Sequence, residues 1–306
     1  MREQDDTERP RDQAPELSLI EIDQRVFDLY DEYCHGLIDR REFLYRAAAV
    51  AVGGLAMAQS LLPRYALAQT ISFTDERIKP QYVTYPSPGG TSGTLRAYLV
   101  QPSGQGPFSA ILVIHENRGL NPYIEDVARR VAVEGFLALA PDGLSPVGGY
   151  PGNDDDGRTL QASLDQGKLR TDMLNSARHL QTHALSRGKL GITGFCWGGS
   201  TTNFLAATLG ADLQAAVPFY GAPPETATVP NIKAPLLIHY AENDERINAL
   251  WPAFENALKA SGAHYDMHTY ADTQHGFHNN STSRYQEAAA KLAWDSTISF
   301  FKTNLA

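Results

Sequence analysis

Apolar residues in most of this chain gather in short unbroken runs, and polar or amphipathic stretches separate them. Ala110-Ile111-Leu112-Val113-Ile114 holds no polar position, as expected of a strand covered on both faces. Similar runs at Phe136–Ala140, Leu190–Thr193, Ala215–Phe219 and Ala234–Tyr240 predict further buried strands. Gln81–Tyr85 and Thr94–Val100 read as two strands split by the turn signal Pro86-Ser87-Pro88-Gly89-Gly90, and His264–Tyr270 alternates in strand fashion. Between these runs the period changes to that of a helix. Ile124, Val127, Ala128 and Val131 share one face, as do Leu169, Met173, Ala177 and Leu180. Helices are also predicted over about 198–209, 248–261 and 285–301, the last with Ala290, Trp294, Ile298 and Phe301 on one stripe. Residues 144–167 are polar, glycine-rich and long for a connector, and they predict a lid or pocket wall. Strands alternating with helices give an α/β class: a mostly parallel sheet with helices on both faces and ligands beyond the carboxyl ends of the strands.

Composition narrows the function. The 306 residues carry a net charge of −9 and no basic stripe, so nucleic-acid binding has no electrostatic support. The two cysteines, Cys34 and Cys196, are too few for a disulfide framework. Nothing in the pattern bears on oligomeric state.

One motif carries chemistry. Gly194-Phe195-Cys196-Trp197-Gly198-Gly199 follows a predicted strand and opens a predicted helix. This is the nucleophile-elbow pattern of α/β-hydrolases, G-x-S-x-G, with cysteine in the serine position. The turn strains its central residue, so small neighbours are required, and the helix N-terminus favours thiolate over thiol. A buried structural cysteine is the alternative reading. In this fold an acid and then a histidine follow the nucleophile along the chain. The predicted strand Ala234–Tyr240 empties into a loop holding Asp244, and His264–Tyr270 ends near His275. Cys196, Asp244 and His275 are therefore the expected triad. The backbone N–H of Trp197 and one in the loop after Ile114, at Asn117, are the expected oxyanion donors. Asp142, which also ends a strand, precedes the nucleophile and is the weaker candidate acid.

These residues, with His115-Glu116-Asn117-Arg118-Gly119, Pro218-Phe219-Tyr220-Gly221 and His275-Gly276-Phe277, resemble the dienelactone hydrolase (carboxymethylenebutenolidase) family from about Ile71 to the C-terminus. The resemblance implies an α/β-hydrolase fold, a small-molecule ester or lactone substrate and no cofactor. It also implies that Glu116 interacts with the cysteine and controls its ionisation until substrate arrives. The family places an arginine a few residues after the catalytic histidine to hold a substrate carboxylate, whereas here none occurs before Arg284. That departure favours a generic ester or lactone hydrolase over dienelactone turnover. Arg118 has three readings: a partner of Glu116, a contact for an anionic substrate, or a surface residue. Tyr123 and Tyr220 line the pocket or pack in the core, and His115 reads as a structural histidine. Two rivals stand beside this reading. One is a metalloenzyme using His115, Glu116, His275 and His278; the other is a binding protein that has kept the fold without the activity.

Residues 1–70 form a separate extension to the hydrolase domain at 71–306. Ile20–Tyr33 has helical spacing. Arg40-Arg41, Phe43-Leu44, an Ala-rich run at Ala47–Ala58 and Ala66-Leu67-Ala68 before Gln69 together form a twin-arginine export pattern. The apolar run is too short for a secure membrane span. A periplasmic or exported protein is expected from this pattern. The alternative is a cytoplasmic protein whose extension folds as a helical hairpin.

Overall fold

A computed structural model of the chain describes residues 69–306 without interruption, together with 40–50 and the single positions Arg25, Leu29, Glu32 and Ile38. In the extension, helix α1 (Arg40–Val50) buries Phe43 and Ala47. Arg25, Leu29 and Glu32 are helical. The rest of the predicted Ile20–Tyr33 helix, Cys34, most of the Ala-rich run and Ala66-Leu67-Ala68 lie outside the described residues. At the predicted domain boundary, Asp126 Oδ1 accepts from the backbone N–H groups of Thr70 and Ile71 at 2.9 and 2.8 Å. Arg129 Nε donates to the Ile71 carbonyl at 2.7 Å, so the start of the domain is tied to the surface of a helix.

Eight strands form one sheet: β1 (Ile78–Ser87), β2 (Gly93–Pro102), β3 (Phe108–Ile114), β4 (Leu137–Pro141), β5 (Ser186–Phe195), β6 (Ala215–Phe219), β7 (Leu236–Asn243) and β8 (Tyr265–Gln274). Their order in space is β1-β2-β4-β3-β5-β6-β7-β8. The β1–β2 and β2–β4 pairings are antiparallel and every other pairing is parallel. Burial explains the apolar runs. Every residue of β3, β4 and β6 is buried, whereas edge strands β1 and β8 mix buried and exposed positions.

Helices cover both faces. On one side lie α4 (Gln166–Gln181), α5 (Trp197–Leu209) and α7 (Trp251–Ser261); on the other, α2 (Pro122–Val133) and α8 (Glu287–Asn304). Leu169, Met173, Ala177 and Leu180 of α4 are fully buried, and each of the larger side chains contributes about 2 kcal/mol of apolar burial. α2 begins where the sequence directs it. Asn121 caps its first turn by accepting from the Ile124 N–H at 3.1 Å, and Pro122 takes the position where no N–H is needed.

Residues 144–167 are not a plain connector. They contain a short 3-10 turn at Ser145–Val147 and helix α3 (Asp154–Ser163). Asn153 caps α3 by accepting from Asp156 N–H at 2.9 Å, and three aspartates in the first turn complement the positive end of the helix. Its polarity hides it from an apolar-period reading. Among the described residues no helix is long and apolar enough to cross a membrane.

Candidate active site

Parallel pairing sets the geometry of the site. Ile114 pairs with Gly194, Phe195 with Phe219, Phe219 with His239, and Asn243 with Gln274. One or two residues beyond these strand ends come Glu116, Cys196, Tyr220, Asp244 and His275, so residues scattered over 160 positions share one rim of the sheet. The crevice lies beside β3, where the chain reverses its direction of travel across the sheet, the usual ligand position in such folds.

Cys196 sits at the apex of the turn from β5 into α5 with φ 56° and ψ −112°, a region non-glycine residues rarely visit. The turn persists because Gly194 and Gly198, two positions to either side of Cys196, have no side chain. A Cβ on Gly198 would lie 2.5 Å from the His115 carbonyl oxygen, so glycine there lets the start of α5 press against the end of β3. Trp197, which follows the elbow, and Asn117, in the loop after β3, both line the cavity next to this contact. The first N–H groups of α5 have no intrahelical acceptor, which leaves them available to a ligand.

His275 Nδ1 and Asp244 Oδ2 are 2.5 Å apart, and both side chains are buried. Asp244 is itself held: it caps the short helix α6 (Glu245–Asn248), and its Oδ1 accepts from the Ile247 N–H at 3.3 Å. A carboxylate on Nδ1 fixes the proton there and makes Nε2 the basic nitrogen. Cys196, His275, Asn117, Trp197 and Tyr220 line one cavity of about 470 Å³, with Arg158, Gln161, Gln166, Ser200 and Arg246 among the remaining wall residues.

Glu116 is almost wholly buried and is not among the residues that line this cavity. Burial raises its carboxyl pKa; Arg118 and Arg284 oppose the rise, while the nearby Cys196 and Asp154 reinforce it. Its Oε2 accepts from Asn279 Nδ2 at 3.0 Å. Arg118 is buried rather than at the surface. Its Nη1 donates to Asp154 Oδ2 at 2.6 Å, its Nε lies 3.9 Å from Glu116 Oε2, and it is absent from the cavity wall. Tyr220 has φ 37° and packs its ring against His275 with centroids 4.9 Å apart. Tyr123 is fully buried, and its hydroxyl pairs with His278 Nδ1 at 2.7 Å. Both phenols are held well above their ordinary pKa by burial and stay neutral.

His115 and His278 have structural partners. His115 Nε2 accepts from the Gly143 N–H at 3.1 Å, so Nδ1 carries the proton and donates to the Glu116 carbonyl at 2.5 Å. Burial lowers its pKa to about 4. His278 packs among Phe195, Phe219 and Trp294. Among the described residues no group of three or more His, Cys, Asp or Glu side chains is arranged to hold a metal ion. Asp142 accepts from the Leu144 N–H at 3.1 Å, and the carboxylate on His275 is that of Asp244.

Gln161, Arg246 and Ser200 on the cavity wall, and Asn279 against Glu116, have no motif that could have announced them. Gln161 Oε1 accepts from the Gly119 N–H at 3.0 Å, which with the Arg118–Asp154 pair fastens α3 to the loop after β3. The long polar segment therefore supplies a fixed wall.

Likeness to known proteins agrees with this fold. A family model described as the dienelactone hydrolase family matches residues 95–305, and one described as YqhI-like matches residues 14–51. The chain is 62% identical over 114 residues to a candidate hydrolase fragment of Escherichia coli K12, YghX, covering 36% of this chain and 95% of that one. It is 32% identical over 255 residues to a candidate carboxymethylenebutenolidase of the same organism, covering 77% and 92%. Among solved structures, a candidate dienelactone hydrolase from Klebsiella pneumoniae superposes with a TM-score of 0.63 at 26% identity, covering 72% of this chain and 99% of that one.

Proposed function

This chain belongs to the dienelactone hydrolase family and is an ester or lactone hydrolase, and we propose that it cleaves its small-molecule substrate through Cys196, His275 and Asp244. Cys196 Sγ attacks the carbonyl carbon while its proton passes to His275 Nε2. The oxyanion forms between the Trp197 and Asn117 N–H groups. The tetrahedral species collapses to a thioester, and the departing alkoxide takes the proton from His275. Water then adds to the thioester with His275 as base, and the acid leaves as Cys196 is restored. Asp244 keeps the proton on Nδ1 and stabilises the transient imidazolium. For a lactone the alcohol stays tethered to the product.

The observation that carries this reading is the short Asp244–His275 contact on the wall of the cavity that Cys196 enters from a strained elbow. Mass spectrometry of protein quenched during turnover of a slow p-nitrophenyl ester tests it. An acyl adduct on the peptide containing Cys196 is expected, and full turnover by Cys196→Ala would refute it. A binding protein without activity would show neither adduct nor turnover.

In this reading Glu116 opposes thiolate formation at rest, as one negative charge beside another does. Arg158, which is paired with Asp155, and Arg246 line the cavity, where an anionic ester or lactone would meet their guanidinium groups. Export also belongs to the proposal, on the strength of Arg40-Arg41, the Ala-rich run and Ala66-Leu67-Ala68. N-terminal sequencing of the protein from cell fractions decides it: Gln69 in the periplasm supports export, and intact Met1 in the cytosol refutes it.

A further inference from the structure

Asn279 is held at both ends of its amide. The Ser281 N–H and Oγ donate to Asn279 Oδ1 at 3.0 and 2.6 Å, which fixes that atom as the oxygen and turns Nδ2 toward Glu116. Its backbone is tied as well: the Asn279 N–H reaches the Gly276 carbonyl at 3.0 Å, and Thr282 N–H and Oγ1 both donate to the Asn279 carbonyl at 3.2 Å. The side chain is fully enclosed, so rotating it would strand a buried donor and a buried acceptor at a cost of about 1–3 kcal/mol each. The donor aimed at Glu116, from a residue 163 positions away, is thus both rigid and uncharged.

Two guanidinium groups also act on Glu116. The Arg118 guanidinium, 3.9 Å away, is drawn to Asp154 at 2.6 Å. Arg284 acts on Glu116 from the loop after β8, where its guanidinium lies against Gly276. Cys196 faces Glu116 from the elbow, Asp154 from α3, and the neutral phenols of Tyr123 and Tyr220 from α2 and the end of β6. His115 is occupied with the Glu116 carbonyl.

We propose that Asn279, locked by Ser281, is a positioning residue that fixes the Glu116 carboxylate beside Cys196 and so holds back the resting thiol from ionising. The proposal rests on the reading of Cys196 as nucleophile. An uncharged donor suits the task. It keeps Glu116 in place and favours its charged form without adding a positive charge of its own, so it takes nothing from the repulsion at the sulfur.

The test is the pH dependence of Cys196 alkylation by iodoacetamide in the full chain carrying Cys34→Ser, which leaves Cys196 as the one thiol. Asn279→Ala releases the carboxylate, and alkylation at pH 6 is expected to rise about three- to tenfold, with the midpoint of the profile moving down by about half a unit or more. Ser281→Ala removes one of the two donors to Oδ1 and is expected to move the profile the same way by less. It therefore answers the question if Asn279→Ala does not fold. In a Glu116→Gln background Asn279→Ala is expected to add nothing. An unmoved profile in folded Asn279→Ala overturns the proposal, as does an equal gain at every pH or an additive effect beside Glu116→Gln. Ester turnover by Cys196→Ala, measured in parallel, tests the nucleophile alone, so the two failures are distinguishable.

Discussion

Gly157 of α3 packs against the backbone carbonyl of Arg118 so closely that a Cβ at position 157 would fall 2.6 Å from that oxygen. The contact joins the cavity wall to the loop carrying Glu116 and Asn117, beside the Arg118–Asp154 pair and the hydrogen bond from Gly119 to Gln161. Gly157→Ala gains about 1 kcal/mol of helix propensity and loses this fit, because the oxygen it meets is backbone and cannot swing aside. The helix must move outward. A fall in kcat/KM of about tenfold is expected while circular dichroism and the unfolding midpoint stay near wild type. Unchanged kinetics would show that the wall has no part in positioning substrate.

Asp244→Asn separates the fold from the chemistry. The asparagine oxygen can still accept from the Ile247 N–H, so the α6 cap survives. What disappears is the charge that holds the proton on His275 Nδ1 and steadies the imidazolium. Ester turnover is expected to fall by about 10²–10⁴ with little change in thermal stability. Parallel losses of stability and turnover would assign Asp244 a structural role only.

The two arginines on the cavity wall predict selectivity. Arg158, 3.6 Å from Asp155, and Arg246 line the cavity, and no carboxylate lines it with them. For an ester carrying a carboxylate, Arg246→Ala is expected to raise KM about five- to tenfold, and added salt to raise it in the wild type. A neutral ester of the same size is expected to respond to neither. Equal responses from both esters would place substrate charge elsewhere.

The sequence disclosed what burial and chain order control. β3 from Ala110 onward and β6 are covered on both faces, so they appear as unbroken apolar runs, and the polar loops that end them mark the rim. Cys196, Asp244 and His275 stood out because each follows such a run. Helix α3 did not, because its aspartates answer a cap and a helix end rather than a core. Arg118 left three readings open in the sequence, since its partner Asp154 lies 36 residues on in a segment with no apolar period. Gln161 and Asn279 were silent for the same reason. Their partners, Gly119 and Glu116, are neighbours only after the sheet assembles.

Acid is expected to destabilise the fold through buried histidines. His239 Nε2 lies 3.0 Å from Thr297 Oγ1, whose own proton goes to the Ala293 carbonyl, so Nε2 carries the hydrogen and Nδ1 accepts from the Tyr270 hydroxyl at 2.9 Å. A proton added at Nδ1 would displace that bond. Burial lowers the pKa of His239 to about 3 and that of His115 to about 4, from 6.5. Between those values the unfolded chain binds more protons than the folded one, so stability rises with pH. The contribution is complete above 6.5 and is lost progressively as pH falls toward the folded values, at about 1 kcal/mol per histidine over the first unit. Glu116, with its raised pKa, acts in the opposite direction and offsets part of the slope. The unfolding midpoint is therefore expected to drop steadily from pH 7 to pH 5. His239→Gln is expected to lower the midpoint at pH 7 and to flatten its decline below pH 6. Parallel curves for variant and wild type would show that His239 is not among the groups whose protonation unfolds the protein.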